Sequence, residues 1–184
     1  NNFNFTQINA DQLGLSTKIS TNDPRMMNAI FRNGRIWCTH SAGLPVSPST
    51  STSTAVFWYQ LNPTIASPIV QSGVIDGGVG VHHFFPSISA NSSNDACLGF
   101  SRSSSSLYAQ AVYTGRLSTD PTGTMIPIQV IKLGESSYTK FFSGTRNRWG
   151  DYSNTCVDPS DDRTCWTIQE YAGTNVGVGG DDGR

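Results

Sequence analysis

Several features that mark common protein classes are scarce in this chain of 184 residues. Charged residues make up 14% of it, its formal net charge is −1, and lysine occurs only at Lys18, Lys132 and Lys140. Nucleic acids and anionic membranes attract clustered basic side chains, so we expect neither of them as the main partner. No apolar run reaches the roughly 18 residues of a membrane-spanning helix, so we expect no membrane insertion.

Helix-forming stretches rich in Ala, Leu, Glu and Lys are also lacking. The chain has instead 18 glycines and 9 prolines, with abundant Ser, Thr and Asn. Such a composition favours short strands joined by many turns, and it predicts an all-β fold.

The strand pattern begins with a hairpin at Asn33-Gly34, because this dipeptide supplies the positive φ angles of a tight turn. Further strands are predicted at 55–61 and 69–75, after which the pattern starts again at Val81. The second strands of three successive rounds align on Trp37, Leu98 and Trp166, at intervals of 61 and 68 residues.

Repeats of four strands at this spacing favour a β-propeller over a β-sandwich, which would not be self-similar. We predict a propeller fragment of about three four-stranded antiparallel blades, within one propeller domain. The boundaries are residues 1–22 for outer strands of a preceding blade, 23–80 and 81–140 for two blades, and 141–184 for an incomplete last blade. Because a ring needs about four to eight blades, we expect the C-terminal part of a longer propeller.

Two segments resemble the last blade of secreted bacterial propellers of the sialidase-like (BNR-repeat-like) superfamily. They are 148–153, Arg-Trp-Gly-Asp-Tyr-Ser, and 166–172, Trp-Thr-Ile-Gln-Glu-Tyr-Ala. Residues 23–37 and 85–103 resemble two preceding blades of that group. The resemblance implies a secreted, extracellular or cell-surface protein. It does not carry an activity over, because the segment 160–166 lacks the Gly of the sialidase Asp box and is one residue short.

One group of side chains is predicted to converge at the end of the blades where their first strands begin. Arg and Asp bind hydroxyls or carboxylates and aromatic rings stack on sugars, so this group suits a glycan ligand. The alternative is structural, with Arg148 and Asp151 paired inside the blade and Trp149 packed between blades. The candidate ligand-binding residues are Arg25, His82, His83, Arg148, Trp149, Asp151 and Tyr152.

Metal binding has two weak candidates. His82 and His83 have suitable chemistry, but neighbours on a strand point to opposite faces and a third ligand is not evident. The acidic turn contains Asp158, Asp161 and Asp162, whose carboxylates suit Ca²⁺. Turn residues that hydrogen-bond their own backbone are the simpler interpretation, and we predict no other cofactor.

The four cysteines favour an oxidising compartment. Cys156 and Cys165 flank the acidic turn symmetrically, and we predict that they form a disulfide across the hairpin. Cys38 and Cys97 either bridge adjacent blades or stay reduced as small buried side chains.

Three functions remain open. The first is a secreted, non-catalytic binding or surface-interaction module whose expected ligands are glycans or cell-surface components. The second is a sialidase-like glycoside hydrolase with its catalytic residues largely upstream. The third is a structural component that pairs with the remainder of its propeller or with another chain. A catalytic site would require converging carboxyls, or a tyrosine with a carboxylate, so we predict no catalytic residue in this chain.

Overall fold

The computed structural model of the chain describes residues 7–46, 50–141 and 144–174. These residues form strands and loops without a helix, which confirms the all-β prediction. The twelve strands are β1 (Ala10–Gln12), β2 (Leu15–Ile19), β3 (Asn28–Arg32), β4 (Arg35–Leu44), β5 (Ser53–Leu61), β6 (Ile69–Ile75), β7 (Val81–Ala90), β8 (Ala96–Ser104), β9 (Leu107–Arg116), β10 (Gln129–Lys132), β11 (Asn154–Val157) and β12 (Cys165–Ile168).

The main sheet contains two antiparallel meanders of four strands each, β3–β6 and β7–β10. The meanders join where β5 and β7 pair in parallel at Thr54 and His82, which makes the eight-stranded sheet mixed. Asn33 and Gly34 take positive φ angles of 48° and 70° in the β3–β4 hairpin, as the sequence predicted. The sheet curls so that both meanders contribute to one hydrophobic core.

That core is built on large aromatic and aliphatic side chains from both meanders. The indoles of Trp37 on β4 and Trp58 on β5 stack with their centroids 6.3 Å apart. Leu98 and Phe100 of β8 enter the same core and are fully buried. Side chains alternate along a strand, so Cys97, Gly99 and Ser101 of β8 face away from this core.

The hairpin β11–β12 covers that opposite face of the second meander. The hydroxyls of Ser87 on β7 and Thr155 on β11 lie 2.7 Å apart, and both residues are buried. Gly99 leaves room for the hairpin, because a Cβ at this position would collide with Thr167 and Gln169. A side chain at Gly99 would therefore push the hairpin off the sheet.

The disulfide prediction was wrong in its partner. Cys165 pairs with Cys97 on β8 of the main sheet, across a Cα–Cα distance of 6.6 Å, whereas Cys38 and Cys156 are free. In the hairpin register Cys156 lies opposite Trp166, and Cys165 lies opposite Val157. This offset of one residue places the two cysteines on opposite faces, so Cys165 faces the sheet and Cys156 faces solvent.

The segment 148–153, which resembles the start of a last blade, is not a strand, because β11 begins only at Asn154. Its only ladder contact among the described residues is an isolated parallel bridge between Ser20 and Arg148. Residues 1–22 were predicted to contain strands at 3–8 and around Lys18–Ser20. The first lies mostly outside the described residues, β2 (Leu15–Ile19) overlaps the second, and β1 (Ala10–Gln12) was not predicted.

Candidate functional site

A polar cleft of about 330 Å³ lies beside the start of β3. It lies between the loop that follows β2 and the loop that precedes β11. The residues that line it are Asn22, Asp23, Arg25, Met27, Arg146, Arg148, Asp151 and Tyr152. Four of the predicted ligand-binding residues, Arg25, Arg148, Asp151 and Tyr152, therefore meet in one place.

Asn147 fixes the loop that carries Arg146 and Arg148. Its side chain is 2% exposed, its Nδ2 donates to the carbonyl of Tyr138 (3.0 Å), and its Oδ1 accepts from the backbone of Lys140 (2.6 Å). Its own carbonyl accepts from the backbone N–H of Ser20 (2.8 Å). These bonds hold the loop in place although it is not part of a sheet.

Two ion pairs flank the cleft. Arg25 donates from Nε to Asp23 Oδ1 (2.6 Å), and Arg148 donates from Nη2 to both Asp151 oxygens (2.8 and 2.9 Å). Asn22 crosses between the two loops, and its Nδ2 lies 3.3 Å from Asp151 Oδ1. Each carboxylate thus has a cationic partner within its own segment.

The arginines hold both carboxylates in the ionised form. The hydrogen bond from Arg25 lowers the pKa of Asp23, with smaller contributions from the charges of Arg25 and Arg146. Burial tends to raise the pKa of Asp151, but the bonds from Arg148 and Asn22 and the charges of Arg148 and Arg146 outweigh it, so this pKa is lowered. The cleft therefore contains ionised carboxylates at neutral pH.

Arg146 was missed by the sequence reasoning. Its Nε donates to Ser20 Oγ (2.9 Å), and its guanidinium forms no ion pair with the described residues. It stands two residues before Arg148, a spacing that places side chains on the same side of an extended chain, so the alternation along this segment was the available signal. The cleft lining then contains three arginines and two aspartates, an excess of one positive charge.

Trp149 does not line the cleft. It is 1% exposed, lies edge-on to Tyr138 with centroids 4.7 Å apart, and donates from Nε1 to Ser101 Oγ (3.0 Å). As the neighbour of Arg148 on an extended segment, it points to the opposite side, into a core with Phe84. Its predicted role in stacking on a ligand is corrected to that of a core side chain.

The histidine pair also lies away from the described walls of this cleft. His82 and His83 are adjacent on β7 and diverge, and both are buried. His82 Nε2 lies 3.4 Å from Asp11 Oδ2, whereas His83 donates to the carbonyl of Ile75 (3.0 Å) and packs edge-on against Phe100. Burial, the largest influence, lowers the pKa of His83 to about 4, so its ring is neutral at pH 7.

The carboxylates of the acidic turn already have partners within the protein. Asp158 accepts from the backbone of Ser160 (2.8 Å) and from Trp166 Nε1 (2.9 Å). Asp161 accepts from the backbone of Thr164 (2.9 Å), and Asp162 forms an ion pair with Arg32. These bonds close the turn and tie it to the first meander.

Within the described ranges, no group of three or more His, Cys, Asp or Glu side chains is arranged to hold a metal ion. The same ranges include no helix long and apolar enough to cross a membrane. Comparisons of the chain with protein-family models, with curated proteins and with solved structures found no match.

Proposed function

We propose that this chain is part of a secreted, sialidase-like β-propeller module that binds a hydroxylated polar ligand, such as a glycan, in the cleft between Arg25 and Arg148. The observation that carries the proposal is the composition of that cleft. It places the exposed ring of Tyr152 (64% exposed) beside two ion pairs and an additional arginine. An aromatic face with fixed charged donors and acceptors is well suited to a sugar ring and its hydroxyls.

The repeated architecture supports the propeller part of the proposal. Two consecutive meanders of four antiparallel strands share one core, and a third hairpin packs on the second meander. Successive packing of like units is how propeller blades associate. A disulfide between the second meander and the hairpin is compatible with an oxidising, extracellular environment.

Binding is favoured over glycoside hydrolysis by the state of the carboxylates. A glycosidase needs a carboxyl group that stays protonated so that it can act as an acid, and burial or a neighbouring negative charge normally provides this. Here arginines lower the pKa of both Asp23 and Asp151. The adjacent carboxylate and tyrosine of Glu170 and Tyr171, which a sialidase-type reaction would need together, also point apart: the carboxylate lies next to Gly150, whereas the ring lies under Lys132.

A glycan array probed with the intact chain tests the proposal, and we expect a restricted set of bound glycans. For a glycan that binds, Tyr152→Ala is expected to weaken affinity about tenfold because it removes the stacking ring. Phe31→Ala is the matched control, since Phe31 is similarly exposed (68%) but lies on β3, outside this cleft. An array without signal above background, or equal losses in the two variants, would contradict the proposal.

A further inference from the structure

A second polar cleft, of about 280 Å³, lies at the other end of β3. Asn28 begins β3 next to the first cleft, and the strand ends at Arg32, immediately before the hairpin that forms one wall of the second. The β3–β4 turn, the β7–β8 turn and the end of β9 meet there. The lining residues are Asn33, Arg35, Gln60, Val70, Gln71, Asn94, Arg116 and Ser118.

This second cleft has two arginines and no carboxylate among its described lining residues. Two carboxylates lie close to these arginines. Burial tends to raise the pKa of Asp95, but bonds from the backbone of Ser118 (2.8 Å) and from Asn91 Nδ2 (3.1 Å), together with the charge of Arg116, lower it. Asp120 follows closely in the chain, and its carboxylate accepts from the backbone N–H of Leu117 (2.8 Å). No ion pair joins Asp95 to Arg116 or Arg35 in the described parts of the chain. The lining itself therefore presents two guanidinium groups and several amides, while both carboxylates stand outside it.

Arg116 is the least expected residue in this wall, because it is only 4% exposed. Its guanidinium lies over the ring of Trp58, 5.8 Å from the centroid, and Nη2 donates to the carbonyl of Asp120 (2.8 Å). Its Nε is buried without a hydrogen-bond partner within the described residues. A buried cation with an unused donor is costly unless an anion or an acceptor compensates for it.

The amides around Arg116 are held in position by one another. Asn33 Nδ2 donates to the carbonyl of Ser92 (2.9 Å) and to Asn94 Oδ1 (3.1 Å), while Gln71 Nε2 donates to Gln60 Oε1 (2.7 Å). The side-chain oxygens of Asn94 and Gln60 therefore already accept a hydrogen bond. The amide nitrogens of Asn94 and Gln60 form no hydrogen bond with the described parts of the chain, and they remain as donors.

We propose that this second cleft binds a compact oxyanion, a carboxylate, sulfate or phosphate group, between Arg35 and Arg116. The planar guanidinium of Arg116 is already oriented by Trp58 and by the bond from Nη2 to the carbonyl of Asp120, so its remaining N–H groups are preorganised donors for an oxyanion. The amide nitrogens of Asn94 and Gln60 supply neutral donors to the same group. The site does not depend on the proposed glycan cleft, because the two clefts share no lining residue.

The test is a titration of the ¹⁵N-labelled chain of 184 residues, followed by NMR at constant ionic strength. Acetate, sulfate and phosphate are added separately, with chloride removed in proportion. We expect one or more of them to shift the Nε–Hε signal of Arg116 and the amide signals of Asn94 and Gln60 to saturation. Which anion saturates first shows whether a carboxylate, a sulfate or a phosphate is preferred.

Arg35→Gln is the main variant, because Arg35 is partly exposed and forms no ion pair with the described residues whose loss would unfold the chain. We expect it to weaken binding about tenfold through the loss of one charge-assisted contact. Arg163→Gln removes the same charge from the exposed acidic turn and should leave affinity unchanged. Arg116→Lys, which keeps the charge but loses the fork, should weaken binding while the Trp58 signals stay native.

Three results would overturn the proposal. The first is shifts that grow linearly up to about 50 mM anion, since a specific site in this range would saturate. The second is equal weakening by Arg35→Gln and Arg163→Gln, which would indicate general screening. The third is saturation whose largest shifts fall on Arg146 and Arg148, which would assign the anion to the first cleft instead.

Discussion

The disulfide between Cys97 and Cys165 offers the sharpest test of how the hairpin β11–β12 is attached. We expect the double variant Cys97→Ser/Cys165→Ser to unfold more easily, because the link closes a loop with a sequence separation of 68 residues. Chain-entropy arguments give about 4 kcal/mol of stabilisation for a loop of this length. For a chain of this size, that corresponds to a decrease in melting temperature of about 10 °C.

The assay is urea unfolding of the oxidised chain, the reduced chain and the double variant, followed by tryptophan fluorescence. The reduced chain and the double variant should unfold at similar, lower urea concentrations. Cys156→Ser is the matched control, since Cys156 is exposed and unpaired, and its unfolding midpoint should equal that of the unmodified chain. Peptide mapping by mass spectrometry should recover the peptides of Cys97 and Cys165 as one linked species.

Two outcomes would refute this reasoning. A free energy of unfolding that changes by less than about 1 kcal/mol would show that the link does not constrain the unfolded chain as a long loop. A linked peptide containing Cys156 and Cys165 would show that the hairpin register differs from the one described here.

Three further changes probe the core and its pH dependence. Trp149→Ala should lower the free energy of unfolding by about 3–5 kcal/mol, because it empties a buried site, whereas Tyr152→Ala should cost less than about 0.5 kcal/mol in the same urea experiment. The folded-state pKa of His83 is about 4, below its unfolded value, so acid favours the unfolded state, and stability should fall by about 3 kcal/mol between pH 6.5 and 4. His83→Asn should flatten this part of a stability–pH profile. Gly99→Ala should destabilise the chain by about 1–3 kcal/mol, because its methyl group would collide with Thr167.

Each of these expectations can fail in a distinct way. Similar losses for the alanine variants at 149 and 152 would place the indole in solvent rather than in the core. An unchanged acid slope in His83→Asn would assign the pH dependence to other groups, among them His40 and His82, whose pKa values burial also lowers. A Gly99→Ala chain as stable as the original would show that the hairpin does not pack on β8 at this position.

Local chemistry along the chain was sufficient to predict the all-β class, the hairpin at Asn33-Gly34 and the strand β6. These features depend on backbone preferences and on alternation, which neighbouring residues express by themselves. The sequence also pointed to the segment around Arg148 and to its meeting with Arg25, because the repeats placed both at corresponding positions.

The tertiary structure decided which face each of those residues presents. A shift of one residue turns a side chain to the other side of a strand, so Trp149 entered the core while Arg148 lined the cleft. The same offset turned Cys165 towards Cys97 rather than Cys156. Register and packing between units arise from contacts far apart in the chain, and no local pattern of residues contains them.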